Sequence, residues 1–195
     1  AAISPDYLDF NDHAYATMQA IILRTLNIDG QSQDWSRIAH LLQQPAIYTL
    51  DAIWPYLAYV FTFKKGNTPA IRTAIECVNK ASKCFDRYGS YDYADHLWQL
   101  AAGYCYEIGA ITTEPDLDQA VTFYEHARES IRRLNTRNDN WLGTGEPLAI
   151  PDEASERLEA FELVDGHYQY KEGIKQSSTT CNPMPPAWPQ NSVDV

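Results

Sequence analysis

The segment from Leu97 to Ile108 reads Leu-Trp-Gln-Leu-Ala-Ala-Gly-Tyr-Cys-Tyr-Glu-Ile. Large apolar residues recur in it at three- and four-residue spacing, at Leu97, Leu100, Tyr104 and Ile108. That spacing is the period of one face of an α-helix, which Ser90 or Asp92 can cap and Gly109 can end. The same spacing runs through most of the first 165 positions without sustained alternation of β-branched residues, so the sequence predicts an all-α fold.

The ends of the other helices are indicated by local residues. Pro55 lies in the first turn of one helix or kinks it. Thr68 and Pro69 can begin the next helix, which Gly89 can end. Candidate N-caps elsewhere are Asp12, Asp34, Thr113 and Asp152. We expect about seven helices stacked as antiparallel hairpins, at residues 12–26, 34–42, 50–64, 69–88, 90–108, 113–134 and 152–164.

The chain of 195 residues is long enough for one domain with its own core. Residues 1–176 are predicted to form a single helical-hairpin domain, and residues 177–195 an extended tail rich in Pro and Ser. Within the domain, residues 135–151 are polar and contain glycine, which predicts a long loop carrying an isolated Trp141.

The formal net charge of −11 argues against a nucleic-acid partner, because binding to phosphates needs clustered Lys and Arg. It argues equally against binding to an anionic membrane surface. No apolar run approaches the roughly 20 residues that span a bilayer. The chain begins Ala1-Ala2-Ile3 without Met, so we expect a processed or trimmed N-terminus.

The four cysteines are Cys77, Cys84, Cys105 and Cys181, an even number that favours two disulfides on a processed, secreted chain. Cys77 and Cys84 lie on one predicted helix with a rise of about 10 Å between them, too far for a bridge. If the next helix folds back around Gly89, Cys105 is closer in register to Cys77. We therefore expect Cys77–Cys105 and Cys84–Cys181. Four reduced thiols in a cytoplasmic protein are the alternative.

Two predicted hairpins carry matching patterns of large and small residues. The pattern consists of Trp54, Leu57, Ala58, Phe61, Ala74, Val78 and Ala81, and then of Leu97, Leu100, Ala101, Tyr104, Ala120, Tyr124 and Ala127. It resembles the tetratricopeptide and Sel1-like repeats, in which small residues let paired helices pack closely. This resemblance implies stacked helical hairpins.

Residues 91–102 resemble a segment of the helical-toroid glycosidases of the α-1,6-mannanase-like kind, although Ala94-Asp95 replaces their adjacent aspartate pair. The resemblance covers about 40 residues and implies a part of an α/α toroid. Asp92 and Asp95 stand on one helical face, with Glu107 three turns on, so they are candidate catalytic carboxylates. Acidic residues in a first helical turn are also ordinary caps.

Aromatic residues around these carboxylates are candidates for a ligand-binding surface. They are Tyr91, Tyr93, Tyr106 and Trp141, with His96 beside them. His96 and Asp92 stand at i, i+4, but no pair of histidines does, and the cysteines lack C-x-x-C spacing. We therefore expect neither a metal nor another cofactor.

Two functions fit this pattern. The first is a secreted binding protein that recognises a protein or a glycan through an acidic, aromatic-lined face. The second is a small carbohydrate-active hydrolase that uses the paired carboxylates. A scaffold module of a larger assembly is a third possibility, and the sequence does not indicate the oligomeric state.

Overall fold

A computed structural model describes residues 5–25, 35–44, 50–64, 70–90, 93–137 and 149–174. The described residues are mostly helical and include a small two-stranded antiparallel sheet. The helices are α1 (Pro5–Thr25), α2 (Trp35–Leu41), α3 (Trp54–Tyr59), α4 (Ala70–Tyr88), α5 (Asp95–Glu107), α6 (Leu117–Thr136) and α7 (Glu153–Leu158). The predicted tail at 177–195, together with Tyr91, Asp92, Trp141 and Cys181, lies outside the described residues.

Helices α5 and α6 form the most extensive helix pair, and α3 and α4 pack together beside them. Gly103 lets α5 approach α6 closely, because a Cβ at this position would lie 2.6 Å from the Tyr124 ring. The buried face of α6 has the three- and four-residue spacing of an amphipathic helix, with Ala120, Val121, Tyr124, Ala127, Ile131 and Leu134. The alanines of the matching pattern, Ala58, Ala74, Ala81, Ala101, Ala120 and Ala127, are all fully buried.

The predicted helix at 50–64 changes its period along its length. A 3₁₀ turn (Asp51–Ile53) leads into α3, and a π-helical segment (Val60–Lys64) follows. Pro55 lies in the first turn of α3, where its missing N–H has no helical partner to lose. In the π-helical segment, the Thr62 hydroxyl donates to the carbonyl of Ala58 at 2.8 Å.

The sequence predicted the ends of the helices more accurately than their starts. Gly89 and Gly109 adopt φ values of +95° and +68°, the left-handed conformation expected beyond a helix end. Three of the predicted starts are corrected. Helix α1 begins at Pro5, well before Asp12, and α5 begins at Asp95 without a side-chain cap. Helix α6 is capped by Asp116, whose carboxylate accepts from the N–H of Gln119 at 3.0 Å, so Thr113 lies outside the helix.

The last predicted helix is wrong over its second half. Helix α7 ends at Leu158, and the chain continues as a hairpin of β1 (Phe161–Val164) and β2 (His167–Tyr170). Asp165 and Gly166 between the strands have φ values of +51° and +85°. An Asp-Gly pair with two positive φ angles is the preferred two-residue hairpin connection, which explains why the strands form here.

The predicted Cys77–Cys105 disulfide is absent, because both residues are free thiols. Cys105 instead forms a side-chain hydrogen bond with Thr62 in the π-helical segment. Cys84 is also a free thiol, and Cys181, its predicted partner, lies outside the described residues.

Candidate functional site

A cavity of about 520 Å³ lies where the end of α5, helix α7 and strand β2 meet. Its walls include three carboxylates, one guanidinium and two aromatic rings, from Glu107, Glu153, Glu156, Arg157, Phe161 and Tyr170. We call this cavity the acidic pocket. Its size lies within the range of small-ligand sites in proteins.

Glu107 is the most buried of the three carboxylates, with 5% of its surface exposed. Its Oε2 accepts a hydrogen bond from the Tyr124 hydroxyl at 2.5 Å, and its Oε1 accepts one from the Tyr170 hydroxyl at 2.7 Å. Nη1 of Arg157 lies 3.5 Å from Oε2. A buried carboxylate needs partners of this kind, because its removal from water is otherwise costly.

The tyrosines keep their protons in this arrangement. Burial, followed by the adjacent Glu107 carboxylate, raises the pKa of Tyr170. Burial also raises the pKa of Tyr124, although the charge of Arg157 opposes this. Both hydroxyls are therefore protonated at neutral pH and donate hydrogen bonds to Glu107.

Arg157 is held by aromatic rings as well as by its ion pair. Its guanidinium lies 4.9 Å from the centre of the Phe63 ring, 5.0 Å from that of Tyr104 and 5.8 Å from that of Tyr124. Planar guanidinium groups stack favourably on aromatic faces. Arg157 therefore ties α7 to the π-helical segment, α5 and α6 at one point.

Helix α7 supplies the outer carboxylates of the acidic pocket. Asp152 caps this helix by accepting from the N–H of Ser155 at 3.0 Å. Glu153 is half-buried and accepts a hydrogen bond from the Tyr59 hydroxyl, whereas Glu156 is exposed. Three carboxylates against one guanidinium leave the pocket with an excess of negative charge.

The candidate catalytic residues do not converge on one point. Asp95 is buried at the start of α5 and accepts from the Ser90 hydroxyl at 2.5 Å, while Glu107 is the last residue of the same helix. At about 1.5 Å per residue, the 13 residues of α5 place their backbones about 18 Å apart. That separation exceeds the roughly 5 to 9.5 Å between the carboxyl groups of glycosidases. Asp92 lies outside the described residues.

Three of the candidate binding residues, Tyr93, His96 and Tyr106, belong to the described part of the chain, whereas Tyr91 and Trp141 lie outside it. Tyr93 is 5% exposed and has the Arg137 guanidinium over its ring, so it does not belong to a surface. Tyr106 is half-buried and stacks on Phe123 with 5.5 Å between ring centres. His96 is buried, and burial lowers its pKa to about 4.

Sequence reasoning missed seven residues of this site, which are Tyr59, Tyr124, Glu153, Glu156, Arg157, Phe161 and Tyr170. Among them, Phe161 and Tyr170 had a usable signal, because Asp165-Gly166 indicates a hairpin and so the two strands that carry them. The partners of Glu107 lie 17, 50 and 63 positions away along the chain, and no local motif links them.

The described part of the chain holds no group of three or more His, Cys, Asp or Glu side chains arranged to bind a metal ion. None of its helices is both long and apolar enough to cross a membrane. Comparison of the whole chain with protein-family models, curated proteins and solved structures gave no match. Over the described residues, the protein is mostly helical and has an acidic cavity at the end of α5.

Proposed function

We propose that this chain is a binding protein that recognises a protein or a glycan through the acidic pocket. The observation that carries the proposal is the convergence of Glu107, Glu153 and Glu156 with the aromatic rings of Phe161 and Tyr170 in one cavity. Carboxylates accept hydrogen bonds from hydroxyl and amino groups, and aromatic rings offer flat apolar faces. Sugars and protein side chains present both kinds of group.

The hydrogen-bond network around Glu107 supports recognition rather than catalysis. Each of its carboxylate oxygens already accepts a hydrogen bond from a tyrosine hydroxyl, and Arg157 adds an ion pair. A carboxylate held in this way is a fixed part of the pocket wall. Glu153 and Glu156 have more contact with solvent and supply the acceptors for a ligand.

A carbohydrate hydrolase is the second candidate function. It is favoured by the presence of Glu107 and Glu153 in the same cavity, since retaining and inverting glycosidases both use two carboxylates that flank the bond to be cleaved. If the protein is a hydrolase, Glu153 would exchange a proton with the substrate and Glu107 would stabilise charge on the substrate.

The helix pairs α3–α4 and α5–α6 are also proposed to be two copies of one repeat-like hairpin. The buried alanines at matching positions of the two pairs support this. The acidic pocket would then form where the second hairpin meets the C-terminal α7 and the β-hairpin.

The experiment is a screen of immobilised glycans and peptides with the full chain and two variants. Glu156→Gln removes an exposed charge from the pocket wall, and Glu125→Gln removes a half-exposed charge from the outer face of α6. We expect a ligand that binds the wild type and Glu125→Gln alike and binds Glu156→Gln about tenfold more weakly. A screen without any ligand, or a ligand insensitive to Glu156→Gln, argues against the proposal. Release of reducing ends from a polysaccharide, abolished by Glu153→Gln, would favour the hydrolase.

A further inference from the structure

A second, much smaller cavity adjoins the acidic pocket and shares Glu153 and Pro151 with it. We call it the inner cavity. Its volume is about 10 Å³, and its polar lining residues are Tyr59, His96 and Glu153. Apolar contacts from Leu97, Leu100 and Ile150 complete the wall.

His96, one of the residues that line this cavity, carries a buried polar atom without a partner in the described part of the chain. The residue is 3% exposed, and its Nδ1 has no hydrogen-bond partner among the described residues. A buried nitrogen without a partner is unusual in native proteins and is commonly explained by an ordered water or ion.

The size and the lining of the inner cavity both match a single water molecule. A cavity holds one water when about 10 to 15 Å³ is open to its centre and two to four polar groups surround it. An apolar cavity of this size would stay dry. Here the Glu153 carboxylate accepts a hydrogen bond from the Tyr59 hydroxyl, and the imidazole of His96 is the third polar group of the lining.

We propose that the inner cavity is a binding site for one water molecule, which hydrogen-bonds to His96 Nδ1 and to the Glu153 carboxylate. Because a carboxylate only accepts, the water donates one hydrogen to Glu153. The water then donates its second hydrogen to an unprotonated Nδ1, or accepts a hydrogen bond from a protonated Nδ1. The site therefore suits either neutral tautomer of the imidazole. His96 is therefore a positioning residue, since the water and Tyr59 together hold Glu153 at the wall of the acidic pocket.

The test is to detect this water in the isotope-labelled full chain by nuclear magnetic resonance. We expect exchange-corrected Overhauser contacts from one long-lived water to the ring protons of both His96 and Tyr59, and a ¹⁵N shift for Nδ1 typical of a hydrogen-bonded nitrogen. His96→Phe keeps an aromatic ring without the nitrogens, and its contact from water to Tyr59 should be lost. Leu97→Val, in the same wall, keeps the polar groups and should retain the contact.

The wild-type chain alone is sufficient to overturn the proposal, so the result does not depend on whether His96→Phe folds. No long-lived water near His96, or a ¹⁵N shift of a free Nδ1, would contradict it. A crystal structure of the full chain with no density in the inner cavity, or with Nδ1 bonded to a protein atom, would do the same. The proposal does not require a ligand in the acidic pocket, so it can stand if the proposed function fails.

Discussion

Arg157 Nη1 lies 3.5 Å from Oε2 of Glu107 and so joins α7 to the end of α5, 50 positions earlier in the chain. The Glu107 side chain is 5% exposed and that of Arg157 is 28% exposed. An ion pair this far from solvent is strongly coupled to folding, because removal of one partner leaves the other charge buried. The same contact places Arg157 in the wall of the acidic pocket.

Replacement of Arg157 by methionine tests this coupling. Arg157→Met leaves Glu107 without its counter-charge, and we expect the free energy of unfolding to fall by about 3 kcal/mol. The matched control is Arg132→Met on α6, whose partner Glu129 lies 2.7 Å away at the surface. An exposed pair of this kind contributes at most about 1 kcal/mol. Chemical denaturation of both variants measures the difference. Equal losses of unfolding free energy would contradict a buried ion pair between Arg157 and Glu107.

The two tyrosine hydroxyls that donate to Glu107 should differ in their contribution. Tyr124 is fully buried, so Tyr124→Phe leaves Oε2 without this donor and should cost about 2 kcal/mol of unfolding free energy. Tyr170 is half-buried, so water can replace its hydroxyl in Tyr170→Phe, and the cost should be about 1 kcal/mol or less. Denaturation curves give both values. A larger loss of unfolding free energy in Tyr170→Phe than in Tyr124→Phe would contradict the deeper burial of the Tyr124 hydroxyl.

Gly103 should not tolerate even a methyl group. Gly103→Ala places a Cβ 2.6 Å from Cε1 of the Tyr124 ring, and we expect a loss of about 2 kcal/mol from overpacking. Helix propensity alone predicts the opposite sign, since alanine is favoured over glycine by about 1 kcal/mol. In a Tyr124→Leu background the added methyl should cost less, and a double-mutant cycle measures that coupling. Additive effects would mean that α5 and α6 do not meet at these two residues.

The described cysteines should react at different rates with a thiol reagent. Burial raises the pKa of Cys77 and of Cys105 to about 12, so each carries almost no thiolate at neutral pH. Cys84 is only half-buried and should be alkylated first. Mass mapping after a short exposure to iodoacetamide measures the order, and unfolding in guanidinium should make the rates similar. A peptide pair linked through Cys77 and Cys105 would contradict the structure.

His96 should make stability depend on pH in the acidic range. Burial lowers its folded-state pKa from 6.5 to about 4, so the unfolded chain binds the proton more readily between these values. Stability from this residue is complete above pH 6.5 and falls as the pH drops towards 4, by about 3 kcal/mol in all. Unfolding free energies across this range for the wild type and His96→Phe measure the effect. His126→Gln, at an exposed position, should keep the wild-type slope, and an unchanged slope in His96→Phe would count against a neutral His96.

Features that depend on neighbouring residues could be predicted from the sequence. The ends of α4 and α5 at Gly89 and Gly109 and the start of α7 after Asp152 were identified correctly, because glycine conformation and side-chain capping act within one helical turn. The β-hairpin had a local signal as well, in Asp165-Gly166. It was missed because the apolar residues before this pair also fit the spacing of a helix.

The sequence alone determined that this protein is mostly helical and where several of its helices end, since backbone preference and apolar periodicity are local properties. Only the tertiary structure decided which carboxylates share a cavity. Glu107 could be recognised as a candidate from its position on α5, but its donors come from α6, α7 and β2. A carboxylate that the folded core removes from water is stable only when it gains polar partners. Here distant parts of the chain supply those partners.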